Sequence, residues 1–251
     1  METTGDTIIL YYLIKNACKT KHIDIIKYLI SYCDNNNIKI DIHFDNELIF
    51  QMACSYGTVD IVKYLINYCE HNNNTINFHI KNDIIFKNAC RTDNVDIVDF
   101  LLNYTRNINS PINIHQNNEE IFISMCRSGS YKCIKYLYEY SVNNNNIIDI
   151  HCCNEICFRY ACYGGHLDIV KFLIEIGIKT EYKINIHAEN DDAFISACEE
   201  GHLNIVKYLI SYCKSNNESF DIHKIGRICI QKARENKFMY IVKYLQDLYV
   251  L

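Results

Sequence analysis

One spacing constrains this chain more than any other feature. An Ile-x-Ile-His pattern, or a close variant, ends at His43, His79, His115, His151, His187 and His223, and every step is 36 residues. An Ala-Cys pair keeps the same step at Ala17-Cys18, Ala53-Cys54, Ala89-Cys90, Ala161-Cys162 and Ala197-Cys198, with Met125-Cys126 and Ala233-Arg234 as variants. A leucine column runs unbroken from Leu29 through Leu65, Leu101, Leu137, Leu173 and Leu209 to Leu245. Self-similarity at such a period is the signature of stacked repeats, in which no unit can bury its apolar face alone. No slip interrupts the columns. The sequence therefore predicts a single repeat domain over residues 1–251, with an N-terminal cap unit over about 1–43 and a C-terminal cap unit over about 224–251.

Each unit reads as helix, tight turn, helix and polar loop. In the sixth, Ile205, Val206, Leu209, Ile210 and Cys213 fall on one broad helical face. Gly57, Gly129, Gly165 and Gly201 stand between the helices, where a positive φ commonly ends the first one. The loops are rich in Asn, as exposed turns are. The expected fold is all-α: a solenoid of seven stacked helix-turn-helix repeats joined by loops or hairpins.

With 49% hydrophobic and 22% charged residues the chain is globular rather than disordered. A net charge of −5 and a pI near 6.0 give no electrostatic footprint for nucleic acid. No apolar run is long enough to span a bilayer, and the start METTGDTIILYYL lacks a basic flank and a small-residue cleavage site. A cytoplasmic protein is expected, with neither nucleic acid nor membrane as partner. Its 14 cysteines then read as reduced thiols serving as small core hydrophobes.

At GHLDIVKFLI (Gly165 to Ile174) and GHLNIVKYLI (Gly201 to Ile210) the sequence resembles the ankyrin repeat, in which a Gly-His turn opens the second helix and an Ala-Ala pair lies in the first. The Asn-Glu-x-x-Phe and Ile-Val-Lys-Tyr-Leu wording resembles ankyrin proteins of giant DNA viruses that infect amoebae. Units here run about three residues beyond the family's length of about 33. The family's Thr-Pro-Leu-His start is absent, with Phe50, Phe86, Phe122, Phe158 and Phe194 at its leucine place. Its turn glycine falls on Asn46, Asn82, Asn118, Asn154 and Asn190, and on Gly226 in the last unit. Asn and Gly both tolerate a left-handed backbone, which supports the alignment.

Three columns invite chemical readings. Stacking at roughly 10 Å puts the histidines too far apart to share a metal ion, whose nitrogen ligands sit near 2 Å, so each is expected to bond turn backbone. His151, Cys152, Cys153 and Cys157 do not have zinc-ligand spacing, and Cys157 shares a column with Ile49, Ile85 and Ile121. The acids Glu47, Asp83, Glu119, Glu155 and Asp191 open the first helices, where a carboxylate complements the dipole and takes free amides. With no phosphate loop, nucleophile elbow or kinase signature, no enzyme activity, cofactor or metal is expected.

In a repeat protein the shared columns build the fold and the varying ones are left for partners. The resemblance implies binding through the hairpin tips and the exposed, concave face of the first helices. The matching candidates are Lys19, Ser55, Arg91, Arg127, Tyr163, Glu199 and Glu235 in one column and Tyr56 and Glu200 in the next, together with tip residues such as Phe44 and Lys224. Down this column the charge runs from basic to acidic, with Tyr163 and Gly164 between. The expected function is a protein-interaction scaffold, monomeric, whose partner is a host protein if the chain is viral. The alternative is a structural or self-assembling component such as a virion protein. Both ends are expected to be caps with polar outer faces, and the fourth unit, with Met125, Lys132, Cys133 and Tyr138 off-pattern, to be the least stable.

Overall fold

The computed structural model describes residues 5–38, 40–221 and 225–249. His223 and Lys224 lie outside these. Among the described residues there are fourteen helices and no strand. The chain divides into two compact units, Met1–Asn113 and Ile114–Leu251. The first holds the pairs α1 (Gly5–Lys19) and α2 (Ile23–Asn35), α3 (Phe44–Tyr56) and α4 (Val59–His71), and α5 (Ile80–Arg91) and α6 (Val95–Asn107). The second holds α7 (Gln116–Ser128) and α8 (Tyr131–Asn143), α9 (Cys152–Tyr163) and α10 (Leu167–Lys179), α11 (Ala188–Glu199) and α12 (Leu203–Ser215), and α13 (Arg227–Glu235) and α14 (Met239–Tyr249).

Helix α4 shows why the second helices form. The Thr58 hydroxyl caps it by accepting the N–H of Ile61, Asp60 sits in the first turn against the dipole, and Ile61, Val62, Leu65, Ile66 and Cys69 line one buried face. The first helices stack on one another, α1–α3–α5 in the first unit and α7–α9–α11–α13 in the second. Phe50 and Phe86 in one unit, and Phe122, Phe158 and Phe194 in the other, are fully buried at these contacts. Each contributes about 2–3 kcal/mol by burial. The Ala-Cys pair is equally buried, its small side chains letting helices approach closely. Met125 is accommodated at an alanine place with no exposure, and Cys133 of the same repeat is likewise buried.

Each of the five inner first helices begins with three consecutive residues in the left-handed region: Asp45–Asn46–Glu47, Lys81–Asn82–Asp83, Asn117–Asn118–Glu119, Cys153–Asn154–Glu155 and Glu189–Asn190–Asp191. The asparagine column is left-handed as expected, and the turn extends to both neighbours. Gly226 departs from the column: it has φ −57° and ψ −39°, an ordinary right-handed conformation. Gly129, Gly165 and Gly201 have the expected positive φ, whereas Gly57, with φ −79°, does not. A Cβ at Gly129 would also come within 2.4 Å of the His166 ring, so that glycine makes room for the next turn.

The ends differ from one another. In the last repeat Arg234 and Gln246 are exposed, and so are Ile228, Met239 and Tyr240. The N-terminal unit is no polar cap. Ile8, Ile9, Tyr12 and Leu13 of α1, with Ile25, Tyr28 and Tyr32 of α2, stand exposed on it.

Candidate functional site

The acidic column does more than face a helix dipole. Its residues are themselves left-handed and, apart from the half-buried Asp191, buried, and each carboxylate pairs with the histidine four residues earlier. His43 Nδ1 lies 2.7 Å from Glu47, His115 Nδ1 2.8 Å from Glu119, and His151 Nδ1 2.9 Å from Glu155. His79 with Asp83 and His187 with Asp191 repeat the pairing. A carboxylate only accepts, so Nδ1 carries the hydrogen. Glu47, Glu119 and Glu155 also accept the backbone N–H of Asn77, Asp149 and Asn185, thirty residues on in the next loop. In the first repeat, which lacks the acid, the Tyr11 hydroxyl accepts the N–H of Asp41 instead. Turn backbone, the expected partner, is found for His79, whose Nε2 lies 3.2 Å from the Ser110 carbonyl.

A second tie fixes the tips of the first helices. His166 Nε2 donates to the Arg127 carbonyl at 3.1 Å, and His202 Nε2 to the Tyr163 carbonyl at 2.9 Å. The two carbonyls so held belong to two candidate binding residues.

In the first unit Lys19 lies over the Tyr56 ring, 5.7 Å from its centre, and Arg91 is exposed at the end of α5. In the second unit the Arg127 guanidinium lies 5.7 Å from the centre of Tyr163 and 5.4 Å from that of Tyr160. Tyr163 is thus half of a cation–aromatic pair rather than a bare apolar point. Glu199 and Glu200 are half-buried, and Lys232 Nζ pairs with Glu199 at 2.6 Å, which offsets part of the acidic end. Glu235 is exposed and accepts from the Gln231 amide. Sequence reasoning missed Tyr160 and Lys232. The available signal was a spacing of 33 residues, which separates Arg127 from Tyr160, Glu199 from Lys232 and also Arg159 from its partner Asp192.

The second helices carry ladders of their own. Lys27, Lys63, Lys171 and Lys207 lie over Tyr64, Phe100, Tyr208 and Tyr244, each 37 residues later. At such exposed sites each contact contributes about 0.5–1 kcal/mol. Tyr68 and Tyr104 donate to Asp34 and Glu70. Burial first, and the bond to Glu70 second, push the Tyr104 phenol up to about 12.

All fourteen cysteines are free thiols, and of them Cys153 alone is exposed. Among the described residues one group could hold a metal: His187, Cys213 and Glu218, with ligand atoms within 4.8 Å of one another. It offers three donors against the four of a closed zinc site. Burial pushes the Cys213 thiol up to about 12, which keeps it protonated. Among the described residues no helix is long and apolar enough to cross a membrane.

A family model for ankyrin repeats (3 copies) matches residues 13–112, 50–147, 86–184, 123–221 and 158–248. No curated protein matches the chain.

Proposed function

Because the chain belongs to the ankyrin-repeat family, we propose that it is a protein-interaction scaffold that holds its partner on the exposed side of its first helices. Repeats of this family generally mediate protein–protein contacts and are typically non-enzymatic. The observation that carries the reading is the division of labour between columns. The shared Phe and Ala-Cys columns are buried, whereas Lys19, Tyr56, Arg91, Arg127, Tyr163 and Glu235 vary from unit to unit and are exposed; Ser55, of the same column as Lys19, is buried instead. Glu199 and Glu200 join them half-buried.

That all seven units act as one domain over 1–251 belongs to this proposal. It is supported by the unbroken 36-residue step and by a family match over 86–184 that spans the junction of the two units. The wording of the repeats supports the finer reading, in which the chain is one of the ankyrin proteins of giant DNA viruses and its partner is a host protein met in the host cytoplasm.

The test is affinity capture of the tagged full chain from its native cell, with mass spectrometry, beside capture with an Arg127→Glu variant. Enrichment of one heterologous protein by the parent and its loss with the variant supports the scaffold. Identical protein sets from both would place the partner on another surface.

A further inference from the structure

Within the first unit, two apolar columns of the second and third repeats are buried. Ile49 and Ile85 hold one such column, Ile61 and Ile97 another, all at 2% exposure or less. The first repeat keeps the same residue types in these columns, with Leu13 and Ile25, yet there they are 42% and 46% exposed. Tyr28 occupies the column of Tyr64 and Phe100, and Tyr32 that of Tyr68 and Tyr104. They are 69% and 45% exposed where their interior counterparts are half-buried, and Ile8, Ile9 and Tyr12 of α1 are between 56% and 64%. The first repeat is thus dressed as an interior repeat.

The area decides what such a face is for. These seven side chains expose on the order of 800 Å², the share each partner gives to a standard protein interface. The largest patch on a typical monomer is about 300–600 Å². The seven Ile, Leu and Tyr side chains carry no charge of their own and also match themselves, as a two-fold contact requires, with the exposed Asp24 at their margin. Tyrosine suits the purpose, since the ring is buried while the hydroxyl reaches the wet rim. The last repeat is a poorer match, because the charges of Arg234 and Glu235 and the amide of Gln246 stand exposed on it alongside Ile228, Met239 and Tyr240.

We propose that the outer face of α1 and α2 is a self-association surface on which two copies of this chain meet, N-terminal repeat against N-terminal repeat. It departs from the monomer expected from the repeat pattern. It is also independent of the partner-binding reading, since it uses neither Arg127 nor Tyr163.

Sedimentation of the full chain across a concentration series tests this. The expected result is a dimer of twice 29.5 kDa that does not grow further. Tyr28→Asp should weaken it at least about tenfold, the effect of roughly 1.4 kcal/mol. Because Tyr28 is exposed, the helical circular dichroism should be unchanged. Gln246→Glu, at the other end, should leave association as it was. A parent chain that is monomeric at every concentration overturns the proposal. So does open-ended growth, or a dimer that Gln246→Glu breaks and Tyr28→Asp does not.

Discussion

His151 Nδ1 lies 2.9 Å from Glu155 Oε1, and the same carboxylate oxygen accepts the backbone N–H of Asn185 at 3.1 Å. One buried acid therefore fixes the imidazole of its own loop and the backbone of the next loop together. The arrangement recurs at His43, Glu47 and Asn77 and at His115, Glu119 and Asp149. It is the polar counterpart of the apolar stacking between first helices.

Removing that acid should be costly. Glu155→Ala leaves one half-buried ring donor and one backbone donor without an acceptor, each worth about 1–3 kcal/mol. A loss of about 2–4 kcal/mol is expected in urea unfolding. Glu155→Gln keeps an acceptor oxygen and should lose about half as much. Equal losses in the two variants would show that the carboxylate's bonds are not what holds the loops.

The left-handed turns give a sharper test of backbone cost. A non-glycine residue in that region costs roughly 1–2 kcal/mol, and Asn less than Ala. Asn82 has φ 55°. Asn82→Ala should destabilise by about 1 kcal/mol, while Asn82→Gly should stay within about 0.5 kcal/mol of the parent. The comparison is made in denaturant melts of all three proteins.

These two sites also mark where the sequence was and was not readable. Asn46, Asn82, Asn118, Asn154 and Asn190 disclosed left-handed positions because Asn tolerates that region through its own side chain. Lys81, Cys153 and Glu189 did not, because nothing in those side chains favours it. They are carried there by the bonds on either side. Likewise a column of acids four residues after a column of histidines was visible, but a bond thirty residues away depends on how loops nest. Gly57 and Gly226 were misread for a related reason: glycine permits a positive φ without requiring it. The apolar first repeat was missed because a terminal unit was expected to be polar, although Ile25 and Tyr28 match interior columns.

Burial of the thiols predicts a simple count. Under native, reducing-agent-free conditions an aromatic disulfide reagent should titrate one thiol rapidly, Cys153, and all fourteen after denaturation. Cys153→Ser should abolish the native reaction. Several rapid native thiols would mean that the cysteine columns are not core.

The same burial sets an alkaline limit. It raises the thiol of Cys69 to about 11 and those of Cys18 and Cys213 to about 12, against an ordinary value of 9.0. Above pH 9 the unfolded chain releases protons that the folded chain retains, so unfolding gains. The stability these groups contribute is complete below pH 9 and drains away between about pH 9 and 12. Urea midpoints should therefore fall between pH 8.5 and 10.5. A midpoint that holds or rises across that window would contradict the assignment.

The fourth repeat should be the soft point of its unit. Met125 fills an alanine place and is fully buried, the smaller Cys133 stands at an isoleucine place, and the hydroxyls of Ser130 and Ser141 are buried in the same repeat. Hydrogen exchange should be faster in α7 and α8 than in α9 and α10. Met125→Ala should leave a cavity and cost about 2–4 kcal/mol rather than restore the common pattern. Equal protection of the two helix pairs would remove the basis for singling this repeat out.

The last prediction concerns Arg127 and Tyr163, and here the structure changes the experiment that sequence alone suggests. Reading the column as a line of charges with an aromatic waist, one would reverse the charge and truncate the ring as independent probes. The guanidinium lies 5.7 Å from the centre of that ring and 5.4 Å from Tyr160. Each side chain therefore helps to position the other, and His166 and His202 hold the backbone beneath both. Arg127→Glu should still slow association with a captured partner, increasingly so at low salt, because steering acts before contact. Tyr163→Ala should speed dissociation by removing an anchor. The double variant should lose less than the two single losses together, with a coupling of about 0.5–1.5 kcal/mol, because residues in contact do not add. Arg91→Glu, in the other unit, reverses a second charge of the same column. If it slows association as Arg127→Glu does, and the Arg127 and Tyr163 effects add fully, then charge alone matters and the stacked pair is not the anchor.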